Sequence, residues 1–185
     1  MQQLLIAVLL LLLSSPVCAQ TTPGKLPVSI AYLGHFGYQP GAKIGTNFNL
    51  LFLEGNRNPQ RIRRLYLSPQ LGLFTWPERH TSYLANLDFG LKNRHPKKNK
   101  YTAYSCGLGY LHQARITGWR VNLADGNREK IRENQPWFLW TLNFEFGKKL
   151  TKRIEWYTKI SGGLRSAKVR ATSTVAFLEI GIVYQ

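Results

Sequence analysis

The sequence predicts an all-β fold, an eight-stranded antiparallel up-and-down transmembrane β-barrel. Three observations predict it. An apolar leader opens the chain, eight segments of alternating polarity follow, and no later run approaches the length of a membrane helix. Only helices and closed barrels satisfy their backbone polar groups in lipid, so strands that enter a membrane must close into a barrel.

The leader comes first. Leu4 to Leu13 is unbroken and apolar, followed by Ser14-Ser15-Pro16 and then Val17-Cys18-Ala19 before Gln20. Val17 and Ala19 fit a signal-peptidase site that cuts before Gln20, although Gln2-Gln3 stand where Lys or Arg is usual. About ten apolar residues are too few for a membrane-spanning anchor. Cys18 admits a lipoprotein alternative, but Pro16 and Val17 match such a site poorly. The expected division is therefore 1–19 signal peptide and 20–185 outer-membrane β-barrel domain, a length suited to one domain. After cleavage Cys106 is the one cysteine left, so no internal disulfide braces the fold. The leader carries no charge, and the net +16 belongs wholly to the mature chain.

The strands read with a period of two. In 28–36, Val28, Ile30 and Tyr32 alternate with Ser29 and Ala31. In 43–53, Ile44, Phe48, Leu50 and Phe52 oppose Lys43, Gly45, Asn47 and Asn49. Leu65, Leu67, Leu71 and Leu73 oppose Tyr66, Ser68, Gln70 and Gly72 in 64–75. Tyr83, Ala85, Leu87, Phe89 and Leu91 oppose Ser82, Asn86, Asp88, Gly90 and Lys92 in 82–92. Four more segments repeat the scheme, centred on Leu108, Leu142, Ile160 and Ile180.

A soluble barrel shares this period, and register alone does not decide which face turns inward. Two features favour apolar residues outside. The apolar face carries large aromatics near the strand ends (Tyr83, Tyr104, Tyr110, Trp140, Trp156, Tyr184), as expected at headgroup depth. The other face is small and hydrophilic, as the narrow interior of eight strands requires. On that face Lys43, Asp88, Glu145, Glu155, Lys159 and Glu179 are expected to form a lumenal ion-pair network that plugs the barrel, which disfavours a general porin.

On these residues the chain resembles the small eight-stranded outer-membrane barrels of the outer-membrane protein A and X type. More narrowly it is similar to outer-membrane β-barrel proteins of Bacteroidota. The resemblance rests on Ala19-Gln20, Ile30-Ala31-Tyr32-Leu33-Gly34, Pro40-Gly41-Ala42-Lys43-Ile44-Gly45, Leu67-Ser68-Pro69-Gln70-Leu71-Gly72, Gly107-Leu108-Gly109-Tyr110 and the terminal aromatic strand. It implies residence in a bacterial outer membrane amid lipid and lipopolysaccharide. It also implies insertion by the barrel-assembly machinery, which reads a terminal aromatic; here Gln185 follows Tyr184.

With a periplasmic N-terminus, the outward loops are 36–42, 75–81, 112–136 and 165–173, and the periplasmic turns are 54–64, 92–100 and 148–153. Those three turns carry +3, +5 and +4, twelve of the sixteen excess positive charges. Arg61, Arg63, Arg64, Lys97, Lys98, Lys100, Lys148 and Lys149 are their core. They form either a solvated rim or a docking face for an acidic periplasmic partner. The longest loop carries the Asp125-Gly126 turn signal and is expected to form a protruding hairpin, with Arg115, Trp119 and Arg120 as candidates for external binding.

Catalytic chemistry has one foothold. His80-Thr81-Ser82 places a base and a nucleophile on one strand face, as a lipid A-modifying enzyme would need, but Asp88 lies about 20 Å further along the strand. The four histidines lack metal-ligand spacing, no cofactor is implied, and an exported chain is a poor candidate for nucleic-acid binding. The expected function is a non-enzymatic structural, adhesion or accessory barrel. A lipid A-modifying enzyme and a secreted soluble barrel carrying a small apolar ligand are the alternatives.

Overall fold

A computed structural model describes residues 26–35, 39–53, 62–76, 79–121, 128–166 and 172–185. The leader with its cleavage site, Arg61 and the Asp125-Gly126 turn lie outside the described residues. The strands are β1 (Val28–His35), β2 (Gln39–Thr46), β3 (Phe48–Leu53), β4 (Ile62–Trp76), β5 (His80–His95), β6 (Lys100–Val121), β7 (Arg128–Lys149), β8 (Ile154–Ser166) and β9 (Thr172–Tyr184). All pairings are antiparallel. The order is β2-β1-β9-β8-β7-β6-β5-β4-β3, and β2 also pairs with β4. Segments β2 and β3 occupy one position in the wall, so the sheet closes as a ring of eight.

The break between β2 and β3 has a local cause. It falls opposite Pro69, which has no N–H to give the ladder. The carbonyl of Thr46 instead accepts a hydrogen bond from the Ser68 hydroxyl at 2.9 Å. A bulge between Asn49 and Leu51 then shifts the phase of β3. Phe48, before the bulge, keeps the expected outward phase opposite Leu67, while the expected outward positions of Leu50 and Phe52 are corrected. Leu51 pairs with Leu65, while Phe52 moves to the phase of Arg64, whose guanidinium lies 4.5 Å from its ring centre.

Side-chain direction follows the apolar-out arrangement. Ile44, Leu71, Tyr83, Leu108, Trp140, Leu142, Ile160 and Ile182 are all exposed on the outer surface, as is Cys106. Ser68, Ser82, Asp88, Asn143, Glu155, Lys159 and Glu179 are buried within. On β7 the outward apolar set runs from Phe138 to Phe146. At about 3.4 Å per residue and a tilt of roughly 40° it is about 20 Å tall, close to the apolar band of a membrane barrel. Tyr83 and Tyr110 mark one edge of the band. At the other, Tyr104 packs on Phe144 at 5.2 Å and Phe146 on Trp156 at 5.8 Å. Trp140 lies inside the band rather than at its edge.

The expected long loop 112–136 is largely strand. The β6–β7 ladder continues past Arg115↔Glu133 to Arg120↔Glu129 and Val121↔Arg128, with a shift between Ile116 and Gly118. The opposite charges of Arg115 and Glu133 at facing register positions favour that extension. The hairpin rises at the end of the barrel opposite the two termini. The connections Pro96–Lys98 with Asn99 (φ 52°) and Leu150 to Arg153 lie at the termini end, whereas those joining β1 to β2 and β4 to β5 lie at the hairpin end.

Candidate functional site

The lumen is filled in tiers along the barrel axis. Its middle tier holds four of the expected ion-pair residues. Lys43 Nζ lies 2.5 Å from Glu179 Oε1, and Lys159 Nζ lies 3.7 Å from the same oxygen. Lys159 also pairs with Asp88 on the facing wall. The chain Lys43–Glu179–Lys159–Asp88 thus alternates in sign and is neutral overall, and each member is 5% exposed or less. Register explains how β2 and β9 meet across β1: Lys43 faces Ala31, a residue small enough for the amine to pass.

Polar neighbours complete the coordination. Asp88 Oδ1 accepts hydrogen bonds from Asn86 at 2.6 Å and Asn143 at 3.0 Å, and Asn143 also donates to Ser105. Lys159 donates to Gln70 Oε1 at 3.3 Å. Buried charges hold only when paired and hydrogen-bonded in this way. Gly107 makes the packing feasible, because a Cβ there would strike Asp88 and Thr141.

The other two expected members lie elsewhere. Glu155, fully buried, pairs with Arg94 and lies 3.7 Å from Lys92 nearer the termini end. Glu145 is the register partner of Lys159 and is half-buried; its charge acts on Lys159 and Lys92. Lys92 also lies 3.6 Å from the centre of the Tyr101 ring. Lys92, counted with the turn charges but also placed by strand phase on the polar face, is lumenal, and so is Arg94, read from sequence as a turn charge alone. Their phase continues Asp88 and Gly90, which is the signal that places them.

A second tier was not anticipated. Leu33, Phe74, Leu84, Leu111, Trp137, Leu139, Val175 and Phe177 form a buried apolar cluster toward the hairpin end. The inner face is therefore hydrophilic only in part. The run Trp137-Phe138-Leu139-Trp140 signals this, being apolar on both faces.

At the termini end Lys97, Lys98, Lys100 and Lys148 are exposed, and Lys149 is half-buried. The turns carrying them are joined by a hydrogen bond from Lys149 N–H to Asn99 O at 2.8 Å. Lys100 and Lys148 face each other directly, an arrangement that costs stability. Arg63 is exposed and Arg64 half-buried. At the hairpin end Arg115 is exposed, and Trp119 is exposed with Lys130 Nζ 5.1 Å from its ring centre. Arg120 takes the ladder position opposite Glu129. His80 and Ser82 share the lumenal phase as expected, but Ser82 is fully buried inside the wall. Among the described residues no cluster suited to a metal ion occurs.

A closed ring of eight antiparallel strands, apolar outside and ion-paired inside, defines the class: the chain has the fold of a small outer-membrane β-barrel. Solved structures agree. The N-terminal β-barrel domain of Pseudomonas aeruginosa OprF superposes with a TM-score of 0.51 at 13% identity, covering 86% of this chain and 96% of that one. Neisserial surface protein A, NspA, gives a TM-score of 0.51 at 8% identity, covering 86% and 94%. No known family's sequence pattern and no characterised protein's sequence matches the chain.

Proposed function

We propose that this chain is an integral outer-membrane β-barrel with a plugged lumen and a non-enzymatic structural, adhesion or accessory role. The observation that carries it is the pairing of an outward apolar band with an interior occupied by an ion-paired tier and an apolar tier. The lumen of eight strands holds side chains and little else, so no continuous water path is expected. The apolar-out arrangement also argues against a soluble carrier, which needs its apolar face inside. Burial of Ser82 argues against presentation of a nucleophile to lipid. The long connections of such barrels lie on the extracellular side, and the β6–β7 hairpin is the longest projection among the described residues, so this reading puts the hairpin outside the cell and the lysine-rich end in the periplasm. Reconstitution in a planar bilayer tests the plug. The expected record has no stepped conductance; regular steps at all protein loadings would overturn it.

The lysine-rich end docks an acidic periplasmic surface in this reading. Its support is the juxtaposition of Lys97, Lys98, Lys100 and Lys148 on hydrogen-bonded turns, a concentration of like charge that solvation alone does not require. The triple change Lys97→Gln, Lys98→Gln and Lys100→Gln is expected to reduce retention on peptidoglycan sacculi or acidic vesicles at low salt by roughly tenfold, about 1 kcal/mol per charge being screened in part. Retention equal to the parent's would remove the docking role.

A further inference from the structure

We propose that the lumenal mouth at the hairpin end is a binding site for an oxyanion group, a phosphate, sulfate or carboxylate, carried by a soluble molecule. Three strands bring its cations and donors together. Arg165 on β8 stacks 4.7 Å from the Trp137 ring centre on β7 and donates to Ser173 Oγ at 2.6 Å, leaving further guanidinium N–H groups. His80 and Ser82 on β5 occupy the same phase, and the charges of Arg165, Arg115 and Arg79 all act on His80. Among the described residues the acid nearest in register, Glu133 opposite Arg115, is exposed at the solvent side.

Unpartnered donors supply the second line of argument. Ser82 is 0% exposed and Trp137 6%, yet Ser82 Oγ, Trp137 Nε1 and His80 Nε2 are buried atoms without a hydrogen-bond partner among the described residues. Buried polar atoms left this way carry a cost that a ligand relieves. Trp137 Nε1 can only donate, so the ligand must accept. Around them Phe74, the register partner of Ser82, Leu111, the register partner of Trp137, and Phe177 supply low-dielectric walls, which concentrate the field of the cations on the mouth. The His-x-Ser spacing is thereby a binding feature rather than a catalytic one. A lipid headgroup reaches the barrel from outside, whereas this site opens into the lumen, so a freely soluble anion is the occupant.

The site requires a closed barrel but not a membrane, and the test uses the full chain folded in zwitterionic detergent. Equilibrium dialysis against radiolabelled inorganic phosphate at physiological salt is expected to give saturable binding of one ion per barrel. Arg165→Gln and His80→Gln should each weaken it about tenfold, the loss of a charge-assisted hydrogen bond. Lys97→Gln, at the other end, should leave it unchanged. Retention of the heat-shifted gel band confirms that each variant is folded. Absence of saturation, or equal weakening by Lys97→Gln, would overturn the proposal. Displacement of phosphate by phosphatidylglycerol doped into the micelles would overturn the lumenal placement, and indifference to that lipid supports it.

Discussion

Replacing Lys159 with Met is expected to destabilise the folded barrel by about 3–5 kcal/mol, the cost of leaving buried charges without their partner. Lys159 holds Asp88 from the facing wall and approaches Glu179, and its ammonium is fully enclosed. Without it, among the described residues, Asp88 keeps the Asn86 and Asn143 amides and Glu179 keeps Lys43. Urea titration of barrel in lipid vesicles, scored by the heat-shifted band, reads the loss. Adding Asp88→Asn to Lys159→Met should recover more than half of it, because a pair removed together leaves no bare charge on β5. A single mutant as stable as the parent would mean that water reaches the tier, and the plug would be lost with it.

The second large effect concerns the outer face. Leu142→Arg should cost about 2–4 kcal/mol, the depth-dependent penalty for a cation at the midplane of a membrane barrel. Leu142 is 70% exposed and lies midway along the outward set from Phe138 to Phe146. Leu150, 58% exposed on the turn at the termini end, is the matched control. Leu150→Arg should change stability by no more than about 0.5 kcal/mol, as for an ordinary surface position. A water-soluble barrel would tolerate both substitutions alike, so the contrast between two exposed leucines separates lipid from solvent.

Much of the wall is legible in the sequence because strand period and outward polarity are local properties. Ile154, Trp156 and Ile160 alternate with Glu155, Tyr157 and Lys159 in one stretch of chain, and β8 takes that phase along its length. The membership of the ion-paired tier is legible for the same reason: a charged residue mid-strand on the narrow face has nowhere else to go. Its pairing is not. Lys159 meets Asp88 across the lumen, and Lys43 meets Glu179 past an intervening strand, which depends on closure and stagger.

The errors have physical causes too. Arg94 lies close to Pro96, where a turn is expected, yet its phase continues that of Asp88, Gly90 and Lys92 to the end of β5. The apolar tier was missed because Leu84 and Leu111 sit among polar residues in the inward phase, and Leu139 beside the outward-facing Phe138 and Trp140. The bulge at Asn49/Leu51 adds one residue to one strand only, a change that no period detects.

The central claim is a closed barrel whose apolar outer face lies in lipid. Gel mobility of the protein from a washed outer-membrane fraction tests it most directly. The expected result is a fast band in unboiled sample that shifts to the mobility of the unfolded chain on boiling. Recovery of the protein in the soluble fraction, with one mobility before and after boiling, would contradict it.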